Sequence, residues 1–192
     1  QNAGLLPHRK VIDNIATVPM LNGVAKAEAH RRANELMELV GLETSMGQRY
    51  PDQLSGGQQQ RVGVARGLAA DPNILLMDEP FGAVDPLVRA DLQAELLRIQ
   101  TELHKTIVFV THDIAEALAL GDQIVILAKA ARIGQVGSPQ EVVANPADAF
   151  VAEFLGLGRG TLDLHLRETP NGTLVVDSHG RPAGRLTKQA GQ

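Results

Sequence analysis

Ile74-Leu75-Leu76-Met77-Asp78-Glu79 is an unbroken apolar run that ends in two adjacent carboxylates. Strands buried on both faces of a parallel sheet read as continuous aliphatic runs, without the alternation of a half-buried strand. Two more runs of this kind follow. Ile107-Val108-Phe109-Val110 leads into Thr111-His112-Asp113, and Ile124-Val125-Ile126-Leu127 is the third. Between the first two, Leu92, Leu96, Ile99 and Leu103 fall on one helical stripe. Strand, helix and strand at this spacing form a βαβ unit, which predicts an α/β fold with a parallel sheet. The polar residues at the strand ends then lie where open α/β sheets bind ligands.

Upstream, Gly4, Pro7, Pro19 and Gly23 punctuate residues 1–23, which read as a loop and a short helix near 11–17. Ala29, Ala33, Leu36, Met37 and Val40 keep the spacing of an amphipathic helix over about 24–40, stopped by Gly41. A further helix is expected over about 57–70, closed by Pro72. Downstream, Ser138-Pro139-Gln140-Glu141 is a capping-box pattern with proline at the first helical position. Another helix is expected over about 147–155, before a linker carrying Gly156, Gly158 and Gly160. Residues 162–167 and 173–177 are β-rich around Asn171-Gly172, a hairpin signal.

Composition narrows the function. Of 192 residues 44% are hydrophobic, enough for one domain with a core and a small appendage. Net charge is -4 with no block of basic residues, which gives no support to nucleic-acid binding. There is no cysteine, so neither a disulfide framework nor a thiolate metal site can form. No apolar run approaches the roughly 18 residues that span a bilayer. The chain reads as soluble and cytoplasmic, without a signal peptide, so a membrane role would come through a partner. Its first residue is Gln, which reads as the start of a fragment.

The residues that carry chemistry each have a plain structural reading too. Leu54-Ser55-Gly56-Gly57-Gln58 can be a capping box with a glycine turn. It can equally be an anion site, with Ser55 and the amides of Gly56 and Gly57 at a helix N-terminus open to a phosphate. Asp78 and Glu79 can be an acidic turn before Pro80. As a like-charged pair at a strand end they suit a cation on the first carboxylate and a water polarised by the second. His112 ends the next strand and would share the sheet edge, where it could donate a hydrogen bond to a phosphate. Asp85 fits a loop near that edge, and also the N-cap of the next helix with Pro86 behind it.

In this order the elements resemble the ATPase domain of ABC transporters. Leu54–Gln58 matches the family's signature, 74–78 its Walker B strand, Glu79 its catalytic carboxylate, the segment around Asp85 its D-loop, and His112 its switch histidine. Gln1 with Leu5-Leu6-Pro7-His8 resembles the Q-loop of importer ATPases. The resemblance covers roughly residues 1–156. It implies a partial P-loop NTPase (RecA-like) parallel sheet core over about 71–156, an ABC helical subdomain over about 10–70, and a short β-rich tail over 157–192. It implies ATP and Mg²⁺ as ligands. Asp78 and Gln1 would meet the metal, and Glu79, His112 and Gln1 would serve catalysis. Ser55, Gly56, Gly57, Gln58 and Asp85 would bind nucleotide. The signature would face ATP held by a second ATPase subunit, a homodimer being expected. Permease subunits and a substrate-binding protein would complete the assembly at the cytoplasmic face of the membrane. The family's phosphate loop, GxxxxGKS/T, does not occur in these 192 residues, and none of the five lysines follows a glycine. The chain is therefore expected to bind ATP weakly and not to hydrolyse it alone, and to be poorly soluble in isolation.

For the transported solute, Leu5–His8, 81–86 and 138–156 look most like the ATPases of osmoprotectant importers, which serve glycine betaine, choline, carnitine and proline. Thr173–Asp177 with Gly180–Gly184 resembles one strand–turn–strand of a CBS module, and reads equally as a plain hairpin. Importer ATPases for polyamines, sugars or sulfonates share most of these motifs. A soluble ABC ATPase of DNA repair or translation would need basic surfaces or a coiled-coil insertion, and neither is present. A non-catalytic partner subunit that lends its signature to a complete ATPase is the other reading.

Overall fold

The fold is described on a computed structural model, which defines residues 4–82, 85–157, 164–169 and 172–186. Its first helices are α1 (Val11–Ile15) and α2 (Thr17–Leu21), longer together than the expected helix and with Pro19 inside the second. They are followed by α3 (Lys26–Leu39) and α4 (Gly56–Leu68), with 3-10 turns at Thr44–Gln48 and Pro51–Gln53 between them. Ala29, Ala33, Leu36 and Met37 of α3 are buried, as the spacing predicts. Gly41 ends that helix with φ +66. Its N–H donates to the Glu38 carbonyl, and that of Leu42 to Met37, which closes a Schellman motif.

β1 (Ile74–Asp78), α5 (Pro86–Leu103) and β2 (Thr106–Val110) form the predicted βαβ unit. The two strands pair in parallel, with Ile74 opposite Thr106 and Asp78 opposite Val110. One core holds these elements together, with Val11, Ile15, Met37, Val62, Ala65, Leu75 and Ile99 at its centre. The strands are not buried on both faces, contrary to the expectation. Leu75, Met77, Ile107 and Phe109 point inward, whereas Ile74 (57%), Leu76 (75%), Val108 (50%) and Val110 (57%) are exposed. Among the described residues β1 and β2 pair only with each other, and no second layer covers their outer face.

The third apolar run also departs from expectation. After α6 (Ile114–Leu120), β3 (Ile124–Leu127) pairs antiparallel with β4 (Ile133–Gly137) and does not extend the parallel sheet. The chain reverses through Lys129–Ala131, where Ala130 and Ala131 adopt φ of 56° and 55°. An all-aliphatic run carries no alternation to announce this, yet burial alternates strictly along it. Ile124 and Ile126 face a second core with Val142, Val151 and Leu155. That core includes α7 (Pro139–Ala144) and α8 (Ala149–Phe154). Ser138 and Glu141 make the predicted capping box, with Pro139 first in the helix. The tail is a three-stranded antiparallel sheet of β5 (His165–Thr169), β6 (Gly172–Val176) and β7 (Pro182–Arg185). Asn171 of the expected hairpin turn lies outside the described residues. The chain divides into two compact units, Gln1–His112 and Asp113–Gln192. No helix of the described residues is long and apolar enough to cross a membrane.

Candidate functional site

Parallel pairing in register brings the carboxyl ends of β1 and β2 side by side, and the residues just beyond them meet. The Glu79 N–H donates to the Val110 carbonyl at 2.8 Å, which extends the ladder by one rung past Asp78. The chain then turns sharply. Glu79 has φ +43, a left-handed backbone that a side-chain-bearing residue adopts at a cost. Gly82 donates its N–H to the Glu79 carbonyl at 3.2 Å, and a Cβ at Gly82 would lie 3.3 Å from Glu79 Oε2. That turn aims the carboxylate across the sheet edge. Glu79 Oε1 lies 2.9 Å from Nδ1 of His112, two residues beyond β2. The Glu79 side chain is 22% exposed and the His112 ring 76%, so the pair is half sunk on one side and open to solvent on the other.

Asp78 stands one residue before Glu79, on the outer face with Leu76 and Val110. Its carboxylate and that of Glu79 are hard oxygen donors, the kind that Mg²⁺ prefers. Asp85 accepts the first backbone hydrogen bond of α5, from Arg89 N–H at 2.8 Å. The segment between them includes residues 83 and 84, which lie outside the described residues, as does Gln1.

The glycine-rich stretch is a separate element. Ser55 N-caps α4, where its N–H donates to Gln58 Oε1 at 3.0 Å and its hydroxyl accepts from Gln58 N–H at 3.3 Å. The bland reading of this stretch therefore holds in full. Gly56 is exposed, with nothing within 4 Å of where a Cβ would stand. Gln59 donates to the carbonyls of Pro51 and Leu54, which ties the turn before the helix to its first coil. These bonds stay within α4 and the turn ahead of it, and do not reach the Glu79–His112 pair.

One contribution to the site, and one to the segment ahead of α1, were not read from the sequence. One is the left-handed backbone of Glu79, which nothing in residue type announces, since Glu is an ordinary right-handed residue. The other is Asn14. It is fully buried in α1, accepts from Leu6 N–H at 2.7 Å, and donates to the carbonyls of Leu6, Arg9 and Lys10 at 3.0–3.1 Å. It clasps the segment that leads into the first helix. An asparagine set between Ile12 and Ile15 in a short helix was the available signal.

Residues 1–82 match the family described as ABC transporter. The choline transport ATP-binding protein OpuBA of Bacillus subtilis is 54% identical over 159 residues, 83% of this chain and 42% of that protein. The glycine betaine uptake system ATP-binding protein YehX of Escherichia coli is 54% identical over 156 residues, 81% of this chain and 50% of that protein. The glycine betaine transport ATP-binding protein OpuAA of B. subtilis is 50% identical over 194 residues, all of this chain and 46% of that protein. The chain thus spans about half the length of the curated relatives it matches. Among solved structures, a dimeric post-hydrolysis state of the ATP-binding cassette MJ0796, bound to ADP and Pi, is 33% identical with a TM-score of 0.61. That similarity covers 72% of this chain and 60% of the other, and supports the α/β fold class.

Proposed function

We propose that this chain, whose residues 1–82 match the ABC transporter family, is part of the ATP-hydrolysing subunit of an importer for quaternary ammonium osmoprotectants of the glycine betaine type. The observation that carries the reading is the Glu79–His112 pair at the ends of two parallel strands. Identity near 50% to relatives named for choline and glycine betaine transport supports the solute class. The match to the glycine betaine protein OpuAA runs through the tail as well, which favours that branch over polyamine, sugar or sulfonate importers.

Hydrolysis needs a water held in line with the γ-phosphate. Glu79 is suited to this, since its strained turn fixes the carboxylate beside His112. The histidine orients the carboxylate and offers its exposed ring edge to the phosphate oxygens. Asp78, on hard oxygen chemistry, would hold Mg²⁺ together with Gln1, and the ion would neutralise phosphate charge. Ser55, Gly56, Gly57 and Gln58 would receive the γ-phosphate of ATP held by a second copy, and Asp85 would lie near that junction. The exposed Gly56, with open space where a side chain would stand, supports this assignment. In the division proposed, 1–156 is the ATPase part, with residues 10–70 as its helical subdomain, and 157–192 is an appended β-rich tail. Permease subunits and a substrate-binding protein would carry the solute, with this chain peripheral on the cytoplasmic side.

The test is uptake. In cells deleted for the gene, labelled glycine betaine uptake should be lost, and restored by the wild-type gene but not by Glu79→Gln. Undiminished uptake in the deletion, with loss of spermidine or sugar uptake in its place, would overturn the solute assignment. Full rescue by Glu79→Gln would overturn the catalytic one.

A further inference from the structure

Several cations of this chain sit beside carboxylates. Arg31 pairs with Glu28 and Glu35, Arg32 with Glu35, Arg98 with Glu95 and Glu102, and Lys105 with Asp71. One concavity gathers cations whose hydrogen-bond partners are neutral. It measures about 350 Å³, and His8, Arg9, Lys10 and Lys26 line it, with Tyr50 and Met20 on its wall. Arg9 Nη1 reaches only the Thr17 hydroxyl, at 3.4 Å, and Lys10 Nζ only the amide oxygen of Gln48, at 2.8 Å. Lys26 has no acidic partner among the described residues. The one carboxylate in the lining, Asp13, is already engaged by His30 at 2.9 Å. Three permanent cations therefore converge on a hollow whose single acid is turned to a neighbour, in a chain whose net charge is -4.

We propose that this concavity is a binding site for a small soluble polyanion of the phosphate type, held by Arg9, Lys10 and Lys26. Cations kept apart by fixed elements, with neutral hydrogen-bond partners, gain most from a ligand that carries several charges in a compact body. Lys10 is held by Gln48 on the 3-10 turn, Arg9 by Thr17 at the start of α2, and Lys26 opens α3, so three separate pieces of backbone set their spacing. The volume is that of a small-molecule pocket and accommodates a diphosphate group. His8 and Tyr50 add hydrogen-bonding groups to the lining. None of Ser55–Gln58, Asp78, Glu79 or His112 lines the hollow, so the site is distinct from the residues proposed to act on ATP. The inference does not depend on the ATPase reading, because its test measures binding alone.

The experiment titrates the 192-residue chain with inorganic pyrophosphate by calorimetry and by amide-resolved NMR. The expected result is one saturable site whose affinity falls with added salt. The shifts should cluster at residues 8–10, 26 and 50. Arg9→Gln with Lys26→Gln, both at exposed positions, should weaken binding by about tenfold or more, because charge-assisted hydrogen bonds are the strong ones. Arg31→Gln, which removes one positive charge elsewhere, should bind like the wild type. A thermal melt of each variant confirms the fold. Four results would each overturn the proposal. These are no binding at millimolar pyrophosphate, shifts centred on 55–58, equal weakening by Arg31→Gln, or retention on phosphatidylglycerol vesicles without any response to pyrophosphate.

Discussion

Two side chains, one in the first helix and one at the site, each make a prediction at the scale of a residue. Asn14 satisfies one backbone N–H and three carbonyls from a fully buried position. Asn14→Ala takes that partner from the Leu6 N–H and the Arg9 carbonyl, while the Leu6 and Lys10 carbonyls keep the N–H groups of Arg9 and Asn14, and each buried unsatisfied group costs about 1–3 kcal/mol. The expected loss is about 2–3 kcal/mol in urea unfolding at unchanged slope, as the freed segment recovers some partners from solvent. Glu79 makes the opposite case. Its left-handed backbone is tolerated where glycine would be relaxed. Glu79→Gly should therefore leave stability unchanged or raise it by about 0.5–1 kcal/mol. In the intact transporter the same change should lower ATP turnover by about a hundredfold or more. A marked destabilisation by Glu79→Gly would show that the turn is not strained. Strain stored at a carboxylate that faces a histidine is the pattern expected of a residue kept for chemistry.

At the scale of elements, the sequence was most legible where a local rule acts alone. Ser55–Gln58 and Ser138–Glu141 form the capping boxes their spacing predicts, and Gly41 supplies the positive φ that ends α3. The turn between β6 and β7 obeys a similar local rule. Asp177 Oδ1 accepts the N–H groups of His179 at 2.9 Å and Arg181 at 2.8 Å. The Arg181 N–H, ahead of that from His179, holds the Asp177 carboxyl below its ordinary 3.8. A group whose folded value is depressed contributes stability above its unfolded value and loses it as pH falls through the folded one. The β6–β7 turn should therefore loosen only in acid, below the ordinary aspartate range. Amide exchange at His179 and Arg181 should accelerate there, and Asp177→Asn, which keeps an acceptor oxygen, should remove the pH dependence. A turn that loosens equally in both proteins would show the carboxylate to be irrelevant. Less legible was β3. Its four aliphatic residues suit a strand in either sheet type, and the reversal at Ala130 and Ala131 decides the pairing through two left-handed alanines that sequence does not announce.

At the scale of the whole molecule, the βαβ order was legible because the runs and the helical stripe between them are long-range features written in residue type. Burial was not, because it depends on which layer faces a strand. Ile74, Leu76, Val108 and Val110 form an apolar patch on the outer face of β1 and β2, centred on the Leu76–Val108 pair and flanked by Thr106 and Asp78. An exposed apolar patch beside unpaired strand edges favours association. The 20.5 kDa chain should elute from size-exclusion columns well above its monomer mass at micromolar concentration. Leu76→Lys with Val108→Thr should return it toward the monomer, with β1–β2 pairing intact by NMR. Because GxxxxGKS/T does not occur in the sequence, no ATP hydrolysis above background is expected from either form. The two measurements separate causes. If the double variant becomes monomeric and both proteins stay inactive, the patch governs association and the missing phosphate cradle governs chemistry. If the wild type is monomeric at the outset, the patch is tolerated in solution, and loss of activity would still follow from the absence of a loop to hold the β- and γ-phosphates.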